Sequence, residues 1–116
     1  MKFKEDKLQC AVARYLDYNN VLWCHVANER RTSPQAGARL KKKGVKSGVP
    51  DCLIFEPNTK YNGLAIELKI KPNKTSANQK EWIKNLTKKG WFCCVVYDID
   101  EAINTIEDYL KDEKKL

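Results

Sequence analysis

The sequence predicts an α/β fold in which a mixed central sheet is flanked by helices. Two short apolar segments, residues 51–55 and 64–70, are joined by a stretch rich in Pro, Asn and Gly, which is typical of a strand hairpin. A segment with helical features separates them from another apolar run at 91–97. Because a helical crossover returns the chain parallel to the strand it left, the sheet should contain both antiparallel and parallel pairs. We expect a single domain over residues 1–116 with the order α-β-β-β-α-β-α.

The first elements follow from periodicity and length. Apolar residues at Leu8, Val12 and Leu16 fall on one stripe, which predicts a helix over residues 3–18. Residues 21–27 are apolar and have the length of a strand.

The next connection, residues 28–50, is polar, basic and long for a loop in a compact domain, so we expect it to serve function. A short helical turn around residues 35–42 is compatible with its composition.

Start and stop signals define the second half of the chain. Ser76 and Gln79 have the spacing of a capping box, and Gly90 ends the helix that they begin. The continuous apolar run at 91–97 predicts a strand buried on both faces. A last helix follows, and its predicted apolar face consists of Ile103, Ile106, Tyr109 and Leu110.

The composition excludes several classes of protein. No apolar run approaches the length of a membrane span, and the N-terminus lacks the apolar stretch of a signal peptide, so we expect a cytoplasmic protein with no membrane partner. The five cysteines form no CxxC pair, which favours reduced, mostly buried thiols over disulfides or a zinc site. His25 is the single histidine, so no Ser-His-Asp or Cys-His set can be built, and no glycine-rich phosphate loop is present.

Positive charge is concentrated in two clusters. The formal net charge is +7, and the lysines and arginines cluster at residues 39–46 and 69–74. Such clusters attract polyanions, most often nucleic acids. A solvated surface would have the same composition, so charge alone leaves both interpretations open.

Three charged residues on the predicted hairpin suggest a catalytic site. Strand alternation places Glu67 and Lys69 on one face, opposite the apolar residues of the same strand, which is also what a strand on a surface sheet would show. The hairpin should bring Asp51 beside Glu67. Two adjacent carboxylates repel each other unless one is protonated or a divalent cation lies between them. The set therefore indicates Mg²⁺-assisted hydrolysis of a phosphodiester, with Mn²⁺ able to substitute, and Lys69 positioning the attacking water or offsetting developing charge.

Two further residues are candidates for the same site, each with an ordinary alternative. Glu5 lies on the apolar stripe of the first helix, where a carboxylate is costly without a partner, although at a helix start it could also reach water. Gln79 opens the helix after the third strand, where it could reach a water or a phosphate, and capping that helix is compatible with this role.

The motif Pro50-Asp51 followed by Glu67-Leu68-Lys69 resembles that of the PD-(D/E)xK nucleases. Its context, with "HVANERR", "GARLKKKGVKSGVPD", "AIELKIK", "SANQKEWIKNLTKKGW" and "DEAINTIEDYL" in order, is similar to the VRR-NUC domain, the virus-type replication–repair nuclease branch of that superfamily. The family commonly has "PNEG" where this chain has "ANERR", which leaves the role of Asn28 and Glu29 open.

The resemblance implies a restriction-endonuclease-like α-β-β-β-α-β core and assigns roles within it. It makes Asp51, Glu67 and the backbone carbonyl of Leu68 metal ligands, Lys69 the catalytic lysine and Gln79 the glutamine that follows it. Glu5 matches the acid of the family's first helix, although Asp6 is adjacent, so which of the two corresponds to that acid stays open.

The resemblance also suggests a substrate. Stand-alone members look like phage or prophage proteins and are similar to Holliday junction resolvases, which implies a homodimer acting on branched or four-way DNA in a bacterial host. The residues expected to contact DNA are basic: Arg30, Arg31, Arg39, Lys41, Lys42, Lys43, Lys46, Lys71 and Lys74. Three alternatives stay open at this stage: a sequence-specific restriction-type nuclease, a DNA-binding module that retains the fold without catalysis, and a dimeric assembly protein whose charge is incidental.

Overall fold

A computed structural model describes residues 2–27 and 33–112 of the chain, with the backbone alone for Lys2 and Phe3. The elements in chain order are α1 (Lys2–Tyr18), β1 (Trp23–His25), α2 (Pro34–Lys42), β2 (Cys52–Ile54), β3 (Gly63–Leu68), α3 (Ala77–Lys88), β4 (Trp91–Val96) and α4 (Ile99–Lys111). This arrangement confirms the predicted α/β class, and α2 lies where the sequence allowed a helical turn. No helix in the described ranges is long and apolar enough to cross a membrane.

The four strands form one mixed sheet in the order β1-β2-β3-β4. The pairs β1–β2 and β2–β3 are antiparallel, whereas β3 and β4, joined through α3, are parallel. The predicted hairpin and crossover are therefore confirmed. β1 and β2 have three paired residues each, fewer than the apolar segments suggested.

The main core lies between the sheet and the two terminal helices. Alternate residues of β3 point towards α1 and α4, since a strand presents every second side chain to one face. The buried side chains of this core are Leu8, Val12, Leu16, Cys52, Ile54, Leu64, Ile66, Leu68, Val96, Ala102, Ile106 and Tyr109. In α4 the buried stripe is shifted from the prediction, because Ala102 is buried whereas Ile103 and Leu110 are only half-buried.

The strand that is buried on both faces is β3, which corrects the prediction for β4. All six residues of β3 are buried, whereas β4 has a single fully buried residue, Val96. The reason is position in the sheet: β4 is an edge strand, whereas β3 lies between β2 and β4, packs against α1 and is contacted by Gln79 of α3. Sequence periodicity reports an apolar run but does not say which strand is central.

Gly48 fixes the start of the hairpin against the start of α3. Its φ of +89° is favourable only for glycine, and a Cβ at this position would lie 2.7 Å from the backbone carbon of Asn78. Asn78 also donates a hydrogen bond from Nδ2 to Oγ of Ser47 at 2.9 Å. The segment leading to Asp51 is thus held against the helix that carries Gln79.

The cysteines are free, and their burial differs from the prediction. Cys52 is buried and its pKa is raised to about 12, mainly because burial disfavours the thiolate. Cys10 and Cys24 are exposed, so the expectation that the thiols are mostly buried was wrong for these two. Both are on elements with one solvent-facing side, namely α1 and the edge strand β1.

Candidate active site

The hairpin brings Asp51 next to Glu67, as its predicted geometry requires. Cys52 pairs with Ile66 in antiparallel register, so Asp51, one residue before Cys52, lies opposite Glu67, one residue after Ile66. Oδ2 of Asp51 accepts a hydrogen bond from the backbone N–H of Leu68 at 2.7 Å. Both carboxylates are buried, with 6% of Asp51 and 2% of Glu67 exposed. These values matter because buried carboxylates are rare unless a partner neutralises them.

Glu67 has two partners on one of its oxygens. Nζ of Lys69 lies 3.5 Å from Oε2, and Nε2 of Gln79 donates a hydrogen bond to the same oxygen at 3.0 Å. The other oxygen, Oε1, is buried and has no hydrogen-bond partner among the described residues. A buried carboxylate oxygen without a donor is costly, so it is a position where an additional positive group or proton would be favourable.

Glu67 and Lys69 do not lie on an open polar face of the sheet, which was the ordinary alternative to a catalytic site. The Lys69 side chain is only 13% exposed, and that of Glu67 even less. The reason is α3, which packs beside β4 and directs Gln79 onto Glu67. The alternative that this strand has an ordinary solvated face is therefore wrong.

The electrostatic surroundings raise the pKa of both carboxyl groups. Burial raises the pKa of Asp51, although the hydrogen bond from Leu68 and the nearby charges of His25 and Lys69 oppose this effect. Burial and then the negative charge of Asp51 raise the pKa of Glu67 to about 8. Without a cation, Glu67 is therefore mostly protonated at neutral pH.

Gln79 caps α3, as the sequence predicted, and its side chain also contacts Glu67; its contact with a water or a phosphate stays a prediction. Its Oε1 accepts a hydrogen bond from the backbone N–H of Ser76 at 2.8 Å, and its own N–H donates to Oγ of Ser76 at 3.2 Å, which completes a capping box. The remaining amide group, Nε2, reaches Glu67. One side chain thus begins α3 and orients the carboxylate of Glu67.

A small cavity of about 30 Å³ adjoins Asp51 at the end of the hairpin. Glu5, Asp6 and Gln9 of α1 line it together with His25, Asp51 and Leu68. Its volume is enough for a water molecule or a similar small species. Both Glu5 and Asp6 reach this cavity, so the geometry does not select one of them as the acid of the first helix.

His25 is the residue that sequence reasoning missed. Its Nδ1 lies 2.9 Å from the backbone carbonyl oxygen of Asp51, and its side chain lines the cavity. The pairing of β1 with β2 places His25 opposite Cys52, the neighbour of Asp51, and this pairing is visible only in the structure. A histidine on a strand was set aside because no second histidine or cysteine accompanied it.

The donor set around Asp51 fits a hard divalent cation. The nearby groups are the carboxylates of Asp51 and Glu67 and the acids of α1, and Leu68, whose carbonyl the family resemblance implies as a ligand, lines the same cavity as Asp51. Mg²⁺ and Mn²⁺ prefer oxygen ligands. Oε1 of Glu67, which lacks a donor, is the atom that a cation would satisfy. Glu67 does not line the small cavity, and in the described part of the chain no three acidic, His or Cys side chains are already grouped as a metal site.

The predicted DNA contacts lie on exposed surfaces where the structure describes them. Arg39, Lys41 and Lys42 belong to α2, and all the described members of the basic set are exposed. Lys71 lies 5.7 Å from the centre of the Tyr97 ring. Arg30 and Arg31, together with Asn28 and Glu29, lie outside the described residues.

Comparisons with known proteins agree with this geometry. A family model described as the VRR-NUC domain matches residues 3–97. A solved structure titled "VRR_NUC domain protein" is similar, with a TM-score of 0.76 and 32% sequence identity over 95% of this chain and 90% of that one. No curated protein matches significantly. Since the family match spans most of the chain and includes the Asp51 and Glu67 motifs, the chain belongs to the VRR-NUC family of PD-(D/E)xK-type nucleases.

Proposed function

We propose that this protein is a Mg²⁺-dependent, structure-selective DNA endonuclease that hydrolyses phosphodiester bonds. The observation that carries the proposal is the buried pair of Asp51 and Glu67 with Lys69 at 3.5 Å from Glu67. If these residues served only to stabilise the fold, apolar residues in their place would give a more stable protein, because desolvation of the charges is costly. Family membership supplies independent support for nuclease chemistry.

In this proposal Asp51, Glu67 and the Leu68 carbonyl hold the cation, with Glu5 or Asp6 reaching it from α1. When bound, the cation polarises the phosphoryl oxygen and lowers the pKa of the attacking water. Lys69 orients that water or offsets charge that develops on the phosphate. Gln79 keeps the carboxylate of Glu67 in place through the hydrogen bond from Nε2.

We infer that the substrate is branched DNA, and that a four-way junction is cut by a homodimer. A twofold dimer matches the two symmetric strands that such a junction presents. The basic residues of α2 and of the segment after it would contact phosphates beside the cut strand. The role we propose is in replication, repair or recombination of phage or prophage DNA in the cytoplasm of a bacterial host.

The testing experiment uses purified protein with Mg²⁺, Mn²⁺, Ca²⁺ or a chelator, on four-way junction, flap, splayed and duplex DNA of matched sequence. Cleavage should require Mg²⁺ or Mn²⁺ and should favour branched DNA. Cutting of the plain duplex at one recurring sequence would instead identify a restriction-type nuclease.

Two variants separate catalysis from binding. Glu67→Ala and Lys69→Ala should abolish cleavage while DNA affinity stays close to that of the wild type. Lys84→Ala is the matched control, since Lys84 is an exposed lysine of α3 with no assigned role. If cleavage survives both active-site changes, the catalytic assignment is wrong, and binding without any cleavage by the wild type would favour a non-catalytic module.

A further inference from the structure

An apolar groove beside the candidate active site has no role in the chemistry described above. Its volume is about 420 Å³, which is within the range of pockets that hold small ligands. Its walls come from α2, α3, the residue after β1 and the loop between α2 and β2: Leu40, Trp82, Val26, Val45, Lys46 and Val49. Val45 is 50% exposed, so part of this apolar surface faces solvent.

The groove lies beside the backbone of Asp51. The backbone N–H of Val26 donates to the carbonyl of Asp51 at 2.8 Å, and Val49 precedes Asp51 by two residues. Trp82 follows Gln79 by three residues on α3, which places both side chains on one side of that helix. A strand of DNA whose phosphate reaches Asp51 would therefore pass the mouth of this groove.

The segment of residues 39–46 carries the wall residues Leu40, Val45 and Lys46, forms the rim of the groove and is positively charged; of its cations, Lys46 itself lines the groove. Residues 33–50 contain five cations, Arg39, Lys41, Lys42, Lys43 and Lys46, and no acidic residue. All five are exposed. No residue of α2 is buried, and the apolar side chain that it turns to the rest of the molecule is Leu40, a wall of the groove. An apolar floor with a cationic rim matches a nucleotide, which has a flat apolar base and an anionic phosphate.

We propose that this groove binds one unstacked nucleobase of the strand that is being cut, with the base against Trp82 and its phosphate near the lysines of the rim. The inference rests on the proposed nuclease function and adds a source of substrate selectivity. Taking a base out of an intact duplex is unfavourable, and the cost is smallest where the base is already single-stranded. DNA with flaps, splayed arms or a junction then binds better than a closed duplex.

The test combines base removal in the DNA with removal of the indole in the protein. A labelled splayed DNA is prepared intact and with a single abasic site at successive positions, and its affinity is measured in chelator so that cleavage cannot consume it. For the wild type, one position should lower affinity by about fivefold to about a hundredfold, the range for loss of one stacked base. Trp82→Ala should lose the same factor on intact DNA and show no further loss at that position.

Second variants keep the test valid if Trp82→Ala is unstable. Trp82→Phe retains an aromatic face and should remain sensitive to the same abasic site. Val45→Trp fills the groove from its exposed wall and should reproduce the loss of affinity and the insensitivity to base removal. Phe92→Ala is the matched control: Phe92 is a partly exposed aromatic residue lining a different pocket of about 430 Å³.

Each outcome decides the inference. If no abasic position weakens binding by the wild type, the groove does not hold a base. The same conclusion follows if, at every position, the fold loss of affinity for Trp82→Ala on abasic DNA equals the product of the two separate losses. Wild-type affinity of both Trp82→Ala and Val45→Trp would also overturn it. Cleavage in Mg²⁺ is measured in parallel. If the wild type cleaves DNA but Trp82→Ala and base removal act independently, the nuclease proposal stands and the groove proposal fails. If the two changes are coupled but the wild type does not cleave, the groove binds a base on a protein that is not a nuclease.

Discussion

Asn58 and Glu67 are both buried polar residues, one in the loop before β3 and the other near the end of that strand, yet their surroundings differ. Oδ1 of Asn58 accepts hydrogen bonds from the backbone N–H groups of Lys60 and Tyr61 at 2.9 and 2.8 Å. Its Nδ2 donates to the carbonyl of Tyr109 at 3.2 Å. Glu67 instead has an oxygen without any donor and a carboxylate neighbour, Asp51.

The difference separates a structural polar residue from a reactive one. A buried side chain whose groups are all paired stabilises one conformation of the chain, here the loop at residues 55–62 against α4. A buried side chain with an unpaired atom and a like charge beside it lowers stability, and it persists where a ligand or a reaction uses it. Substitution of Glu67 should therefore reduce cleavage without lowering stability, whereas substitution of Asn58 should lower stability without changing cleavage.

The largest expected effect is on cleavage by Glu67→Gln. Loss of the negative charge should reduce the single-turnover cleavage rate by about a hundredfold to about ten-thousandfold, the scale of removing one group that acts in the transition state. The free energy of unfolding should stay the same or increase, because glutamine is neutral at every pH and removes the cost of a buried carboxyl group beside Asp51. Denaturant unfolding and cleavage assays on the same preparation measure both. A variant that is strongly destabilised would show that Glu67 is a structural residue like Asn58.

The next effect is on stability and belongs to Asn58→Ala. The change leaves two backbone N–H groups and one carbonyl without partners, which should lower the free energy of unfolding by about 2 to about 4 kcal/mol. The cleavage rate per folded molecule should not change. Asn104→Ala, at an exposed position of α4, is the control and should be within about 0.5 kcal/mol of the wild type. Loss of cleavage in folded Asn58→Ala would contradict the separation of roles.

A smaller effect should appear in the pH dependence of stability in metal-free protein. The pKa of Glu67 is raised from 4.5 to about 8, so between these values the folded chain holds a proton that the unfolded chain has released. The free energy of unfolding should therefore fall as the pH rises from about 4.5 to about 8. Asp51 contributes in the same direction, since its pKa is raised as well.

Variants assign this pH dependence to its source. Unfolding curves of Glu67→Gln should show a weaker fall over that range, whereas Asn58→Ala should keep the wild-type slope from a lower starting value. Added Mg²⁺ should stabilise the wild type more at pH 8 than at pH 5, because cation binding needs ionised carboxylates. An unchanged slope in Glu67→Gln would mean that other groups cause the dependence.

The smallest effects concern the capping box. Ser76→Ala removes the cap of α3 and should cost about 1 kcal/mol of stability with little change in cleavage. Gln79→Ala should cost a similar amount and also slow cleavage several-fold, because the hydrogen bond that orients Glu67 is lost. Comparison of the two variants in cleavage assays isolates the second role of Gln79. Equal cleavage rates for both would reduce Gln79 to a helix cap.

Local patterns in the sequence predicted those parts of the fold that depend on neighbouring residues. The stripe of Leu8, Val12 and Leu16, the capping box and the hairpin were all accessible, because each is determined by spacing along the chain. The juxtaposition of Asp51 and Glu67 followed from the hairpin alone. Knowledge of the family added the expectation of Leu68 as a ligand, which residue patterns do not contain.

The remaining features depend on contacts between distant segments. Which strand is central, and hence why β3 rather than β4 is fully buried, is decided by how helices cover the sheet. The position of His25 depends on the pairing of β1 with β2 across the long connection. Burial of Lys69 requires α3 to pack where it does, and the groove beside Trp82 requires four separate segments to meet. None of these is encoded in the spacing of neighbouring residues.

The pairing of Cys52 with Ile66 has a consequence for how this chain can vary in length during evolution. An insertion of one residue in β2 would turn Asp51 to the other face of the sheet, and an insertion of two would move it about 7 Å along the strand, away from Glu67. Length changes between Gly48 and Ile54 should therefore be eliminated by selection. Insertions should accumulate instead in the connection before Gly48, where a longer chain alters the approach to DNA without changing the distance between the two carboxylates.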